Sequence, residues 1–201
     1  FFGGPDRGSR NTPDVSLRSI QSGSALGLAL SGGRDFDGDG YDDIVYYNNA
    51  RGRVYYGDAE MQSYDINTGT DDLSIINNAE SIVDTVVNTG TLELIADFNG
   101  DGYDDIMLND DNNGGSIFFG DWDKATESSI YPDINFSGPS SDYYFADRIT
   151  SCADLDADGY GDTAISLWNS SFEYAGLYIY LGTTNTTLTN NKEYMAAGYG
   201  A

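Results

Sequence analysis

Three segments of this chain concentrate oxygen ligands in one pattern: Asp35 to Asp43, Asp97 to Asp105 and Asp154 to Asp162, each reading D-x-[DN]-x-D-G-x-x-D. Calcium takes about six to eight oxygens from a flexible loop, and this spacing supplies them. Side chains at loop positions 1, 3 and 5 converge: Asp35, Asp37 and Asp39; Asp97, Asn99 and Asp101; Asp154, Asp156 and Asp158. Glycine at position 6 (Gly40, Gly102, Gly159) allows the sharp turn at positive φ. The carbonyl at position 7 (Tyr41, Tyr103, Tyr160) then points inward, and the Asp at position 9 (Asp43, Asp105, Asp162) closes the shell. Asn99 is a neutral donor, so the middle loop carries one negative charge less. One Asp-Gly turn is ordinarily only a turn. Three matches in register, each crowding carboxylates that repel without a cation, predict three calcium sites. An EF-hand needs a Glu at position 12, where Tyr46, Leu108 and Ile165 stand. Zinc prefers nitrogen and sulfur, and the chain has no His and one Cys. Magnesium, which keeps its waters and demands strict octahedral geometry, fits less well.

The remaining composition narrows the function. Asp and Glu number 33 against nine Lys and Arg, a formal charge of −24. Such a surface repels phosphate backbones and anionic lipid, so nucleic acid is excluded as a partner. No histidine is available as a general base, and Cys152 has no His partner, so no catalytic activity is expected. A single Cys also rules out an intrachain disulfide; Cys152 reads as a small buried hydrophobe. No apolar stretch is long enough for a membrane span. Without an initiator Met or a leader, the chain reads as a processed or excised piece. Asn135, Asn169 and Asn185 head N-glycosylation sequons, compatible with secretion.

The elements that position these loops recur with them. A second marker follows each loop: Val54-Tyr55-Tyr56-Gly57, Ile117-Phe118-Phe119-Gly120 and Ile179-Tyr180-Leu181-Gly182, and the chain opens on Phe1-Phe2-Gly3-Gly4. Each unit reads as a four-stranded antiparallel sheet with the acidic loop between its first two strands. In the middle unit these strands are predicted at 92–98, from 105 to 108, at 116–119 and near 130–136. The nearly continuous apolar run Ile44-Val45-Tyr46-Tyr47 suits a strand covered on both faces. Sheets repeated at about this spacing suggest all-β propeller blades of roughly 60 residues, about three and a half of them, because one blade cannot bury its own faces. The single repeat domain 1–201 divides into the second half of a blade (1–24), a blade with calcium loop 35–43 (25–67), a long connection (68–91), a blade with loop 97–105 (92–136), a blade with loop 154–162 (137–190) and a C-terminal extension (191–201). Fewer than four whole blades cannot close a ring, so either a larger propeller or neighbouring subunits must complete it.

At these residues the sequence resembles the FG-GAP repeats of integrin α-subunit propellers and the related VCBS-type repeats of microbial surface proteins. The three acidic loops and the glycines Gly57, Gly120 and Gly182 carry the resemblance. A Phe-Gly lead is only hinted at, by Leu26-Gly27 and Phe145-Ala146. The Gly-Ala-Pro element is replaced by Tyr47-Asn48-Asn49-Ala50, Asn109-Asp110-Asp111 and Trp168-Asn169-Ser170. The resemblance implies a calcium-stabilised, seven-bladed propeller, secreted or at the cell surface. There it would serve adhesion or recognition of a protein or glycan ligand, its loops holding the blades rather than touching the ligand. The alternative is a structural subunit of an extracellular filament or surface layer, binding copies of itself by strand addition to the half-blade.

Overall fold

The computed structural model describes residues 16–18, 29–48, 51–59, 64–65, 72–75, 91–110, 114–126, 129–138, 143–169, 175–184 and 193–194. The first unit holds β1 (Leu17–Arg18), β2 (Leu30–Arg34), β3 (Asp43–Asn48), β4 (Arg51–Tyr55), β5 (Tyr64–Asp65) and β6 (Asp72–Ile75). The second holds β7 (Leu92–Ile95), β8 (Asp105–Asp110), β9 (Gly114–Phe118), a 3-10 turn at Trp122–Thr126, β10 (Ser129–Ile130) and β11 (Ile134–Ser137). The third holds β12 (Tyr143–Ala153), β13 (Asp162–Asn169), β14 (Ala175–Tyr180) and β15 (Glu193–Tyr194). The described residues are thus all-β, as the repeat pattern implies.

Each unit is an antiparallel meander: β2-β3-β4-β6, β7-β8-β9-β11 and β12-β13-β14-β15. The first and third units draw their fourth strands from unexpected places. Strand β6 lies in the stretch 68–91 read as a connection, and β15 lies in 191–201 read as an extension. Strand β10 crosses between units and pairs in parallel with β6, Ser129 opposite Ser74 and Ile130 opposite Ile75. Of residues 1–24 the structure describes only Ser16, Leu17 and Arg18, and β1 pairs in parallel with β5. The opening Phe1-Phe2-Gly3-Gly4 lies outside the described residues.

The middle sheet is buried on both faces, which explains its apolar strands. Ile106, Leu108 and Phe118 face the first unit and pack with Phe36, Val45, Val54 and Ile130. Met107 and Ile117 face the third unit and pack with Phe145, Ile165, Leu167 and Tyr180. Alternating residues on β8 and β9 therefore serve opposite interfaces, as the two-residue strand period requires. Burying one such side chain is worth about 1.5–3 kcal/mol. Strands β2 and β12 flank β7, so the units stack through their first strands. Among the described residues these sheets do not close a ring.

Candidate metal loops

Each acidic loop joins the first two strands of its unit and is folded by its own carboxylates. In the first loop Asp35 Oδ1 accepts the Gly38 and Asp39 amides (2.7 and 3.1 Å), and Oδ2 accepts that of Gly40 (2.9 Å). Asp37 Oδ1 accepts the Asp39 amide (3.2 Å) and Asp39 Oδ1 that of Tyr41 (2.8 Å). The second loop repeats this set from Asp97 (2.6, 3.0 and 2.8 Å), Asn99 (3.1 Å) and Asp101 (3.0 Å). In the third, Asp154 accepts the Asp158 and Gly159 amides, and Asp158 that of Tyr160. The glycines at position 6 have φ of +92°, +97° and +96°, as the pattern predicts. Position 4 is also left-handed, with φ +75° at Gly38, +76° at Gly100 and +63° at Ala157.

These turns bring ligand oxygens together. Asp35, Asp37 and Asp39 place carboxylate oxygens within 4.8 Å of one another, and so do Asp154, Asp156 and Asp162. The middle loop differs: Asn99 Nδ2 donates to Asp101 Oδ2 at 2.7 Å, so an amide N–H faces the carboxylate there. Burial pushes the Asp37 carboxyl up to about 6, against the Asp39 amide and helped by the charges of Asp39 and Asp35. Asp156 is raised too, by desolvation and then by Asp158, Asp162 and Asp154.

The Asp at position 9 has a second task that the spacing alone does not reveal. Asp43, Asp105 and Asp162 are at most 1 % exposed. One oxygen of each accepts the position-2 amide: Phe36 (2.7 Å), Phe98 (2.6 Å) and Leu155 (2.6 Å). The other accepts the marker-glycine amide: Gly57 (2.8 Å), Gly120 (2.8 Å) and Gly182 (2.9 Å). The carboxylate thus clamps the loop to the end of the third strand, which is why the Gly marker recurs at a fixed place. Burial outweighs these N–H bonds and pushes Asp43 up to about 7 and Asp105 up to about 8, with Asp37 and Asp35, or Asp101 and Asp97, adding repulsion.

The loops also bind each other. The Asp35 and Phe36 carbonyls accept the amides of Asp104 (3.1 Å) and Asp121 (3.1 Å), and the Asp97 and Phe98 carbonyls accept those of Gly161 (2.5 Å) and Thr183 (2.7 Å). Arg34 reaches across all three units, its guanidinium on Asp104 Oδ1 (3.3 Å) and on Ser151 Oγ (3.1 Å). Cys152, expected to be buried, is half-buried, with Sγ 3.7 Å from the Thr150 carbonyl; burial and the Asp162 charge raise its thiol.

Residues 26–57 match the family model of the FG-GAP repeat. No curated protein matches the chain. FG-GAP repeats occur in extracellular adhesion-type proteins and often bind calcium. Among the described residues, no helix is long and apolar enough to cross a membrane.

Proposed function

We propose that this FG-GAP repeat protein is an extracellular, calcium-stabilised adhesion or recognition module that binds a protein or glycan and catalyses no reaction. The observation that carries the reading is the convergence of Asp35, Asp37 and Asp39, and of Asp154, Asp156 and Asp162, in loops already folded by their own carboxylates. Crowded carboxyls that repel one another, two of them (Asp37 and Asp162) buried, are unfavourable alone and favourable around a cation. Calcium would be held by positions 1, 3 and 5 with the position-7 carbonyl and position 9. The loops join the units, so calcium there stabilises the stack. Sites of roughly 10⁻⁴ to 10⁻³ M affinity would be about half to nine-tenths occupied at the roughly millimolar calcium outside cells and empty in cytosol. The absence of histidine from the sequence supports the non-catalytic reading. A filament or surface-layer subunit remains the second reading, and β1, the described strand of residues 1–24, pairs on one edge with β5 in a two-stranded sheet.

Calorimetric titration and thermal melts test the calcium claim. At about 1 mM calcium each site adds roughly 0.4–1.4 kcal/mol, so chelation should lower the melting temperature by several degrees. An unchanged melt, with no heat of binding, would sink the proposal. A glycan array and a panel of secreted proteins, probed in calcium and in chelator, test recognition; calcium-independent or absent binding to both would count against it.

A further inference from the structure

The two internal joints between units use the same parts in two chemical versions. In both, a Tyr at position 7 of the later loop lies over position 4 of the earlier one. A Cβ on Gly38 would stand 2.7 Å from Tyr103 Cδ1, and one on Gly100 would stand 2.7 Å from Tyr160 Cδ1. Glycine is therefore required at position 4 wherever a following unit docks. The residue before position 1 meets position 8 of the later loop. At the first joint this pair is charged, Arg34 against Asp104, whose other oxygen accepts the Asp35 amide at 3.1 Å. At the second it is small, Ala96 against Gly161, where an added Cβ would come within 2.5 Å of Ala96 Cβ.

The two outer ends do not match each other. The first unit presents Tyr41, 45 % exposed, and the exposed Asp42 at positions 7 and 8. The third loop carries exposed Ala157 at position 4 and exposed Ala153 before position 1. Its position-2 side chain, Leu155, is 54 % exposed, whereas Phe36 and Phe98 are fully buried beneath a following unit. Seating Tyr41 on Ala157 would drive a methyl into the ring. Seating Asp42 against Ala153 would desolvate a carboxylate without the guanidinium that Asp104 has.

We propose that the Tyr41–Asp42 edge is a docking surface for a further repeat unit whose acidic loop has glycine at position 4 and a basic residue just before position 1. Ala157 and Ala153 bar this chain's own third loop from that place. The charged pair and the glycine act as a code: they admit one neighbour and exclude a second copy of the same chain.

Two variants test the code from opposite sides. Asp42→Gly/Ala157→Gly reproduces the small joint at the outer ends, and Ala153→Arg/Ala157→Gly supplies the charged pair, on a residue whose φ of +53° the arginine must accept. All the changed residues are exposed, and melts in calcium check that each variant folds. In sedimentation velocity with calcium the native chain should stay monomeric. Both variants should associate head to tail, their weight-average mass rising at least about twofold with concentration, and adding Tyr41→Ala should return them to monomers. Monomeric variants would overturn the proposal. So would a native chain that assembles as readily as they do.

Discussion

Gly120→Ala places one methyl where the first two units are joined. Its Cβ would land against the Asp104 carbonyl, 2.5 Å from the Phe36 carbonyl and 2.7 Å from Tyr103 Cβ. None of these is the free end of a flexible side chain, so the backbone must move. Overpacking of this kind costs about 1–3 kcal/mol. The movement also pulls the Gly120 amide from Asp105, leaving a fully buried carboxylate short of one donor, at about 1.5–3 kcal/mol for a bond to a charged group. The expected loss is about 3–5 kcal/mol, which at a urea m-value of about 2–3 kcal/mol/M moves the midpoint down by roughly 1–2.5 M. The control is Gly102→Ala: nothing lies within 4 Å of its Cβ and φ is +97°, so only backbone strain of about 1–2 kcal/mol is added. Urea melts of both variants at fixed calcium decide the matter. If Gly120→Ala loses no more than Gly102→Ala, the marker glycine is not the joint described here.

The chelated protein should become more stable as the pH falls from about 8 to about 5. Asp43 and Asp105 have folded values near 7 and 8 against 3.8 for the free group, so over this window the folded state binds protons the unfolded state lacks. Calcium, which needs ionised ligands, should flatten or reverse that slope; a chelated protein less stable at pH 5 than at pH 8 would contradict the burial argument. Asn99→Asp should raise calcium affinity at the middle loop several-fold, by adding a charge and removing the amide that faces Asp101, while lowering stability in chelator. Calorimetry showing equal or weaker binding would remove the middle loop from the metal reading.

The loops were legible because their geometry is local. Position 6 must be left-handed whatever surrounds it, and Gly40, Gly102 and Gly159 say so in the sequence. Strand β3 was legible from the apolar run Ile44-Val45-Tyr46-Tyr47 that two covered faces require, and β9 from the recurring marker that ends in Gly120. Strands β6 and β15 were not, because they span only Asp72–Ile75 and Glu193–Tyr194, too short for a period to show. The clamp by Asp43, Asp105 and Asp162 and the loop-to-loop bonds were hidden because their donors and acceptors are largely main-chain groups, which every residue type carries alike. Two side-chain signals were nonetheless in view: the change from Gly38 and Gly100 to Ala157, and the pairing of Arg34 and Asp104 beside Ala96 and Gly161.

Strand β10 has a mechanical consequence. By pairing in parallel with β6 it closes a loop of chain that contains β7, β8 and β9. Tension entering β6 at its start and leaving β10 at its end would load that pair in shear. The enclosed strands would carry little of the load until it yields. In the adhesive role proposed above, the chain would then lengthen in steps, with β7, β8 and β9 yielding only after the β6–β10 pair, and its lifetime under pull would be set by an unfolding rate rather than by its equilibrium stability.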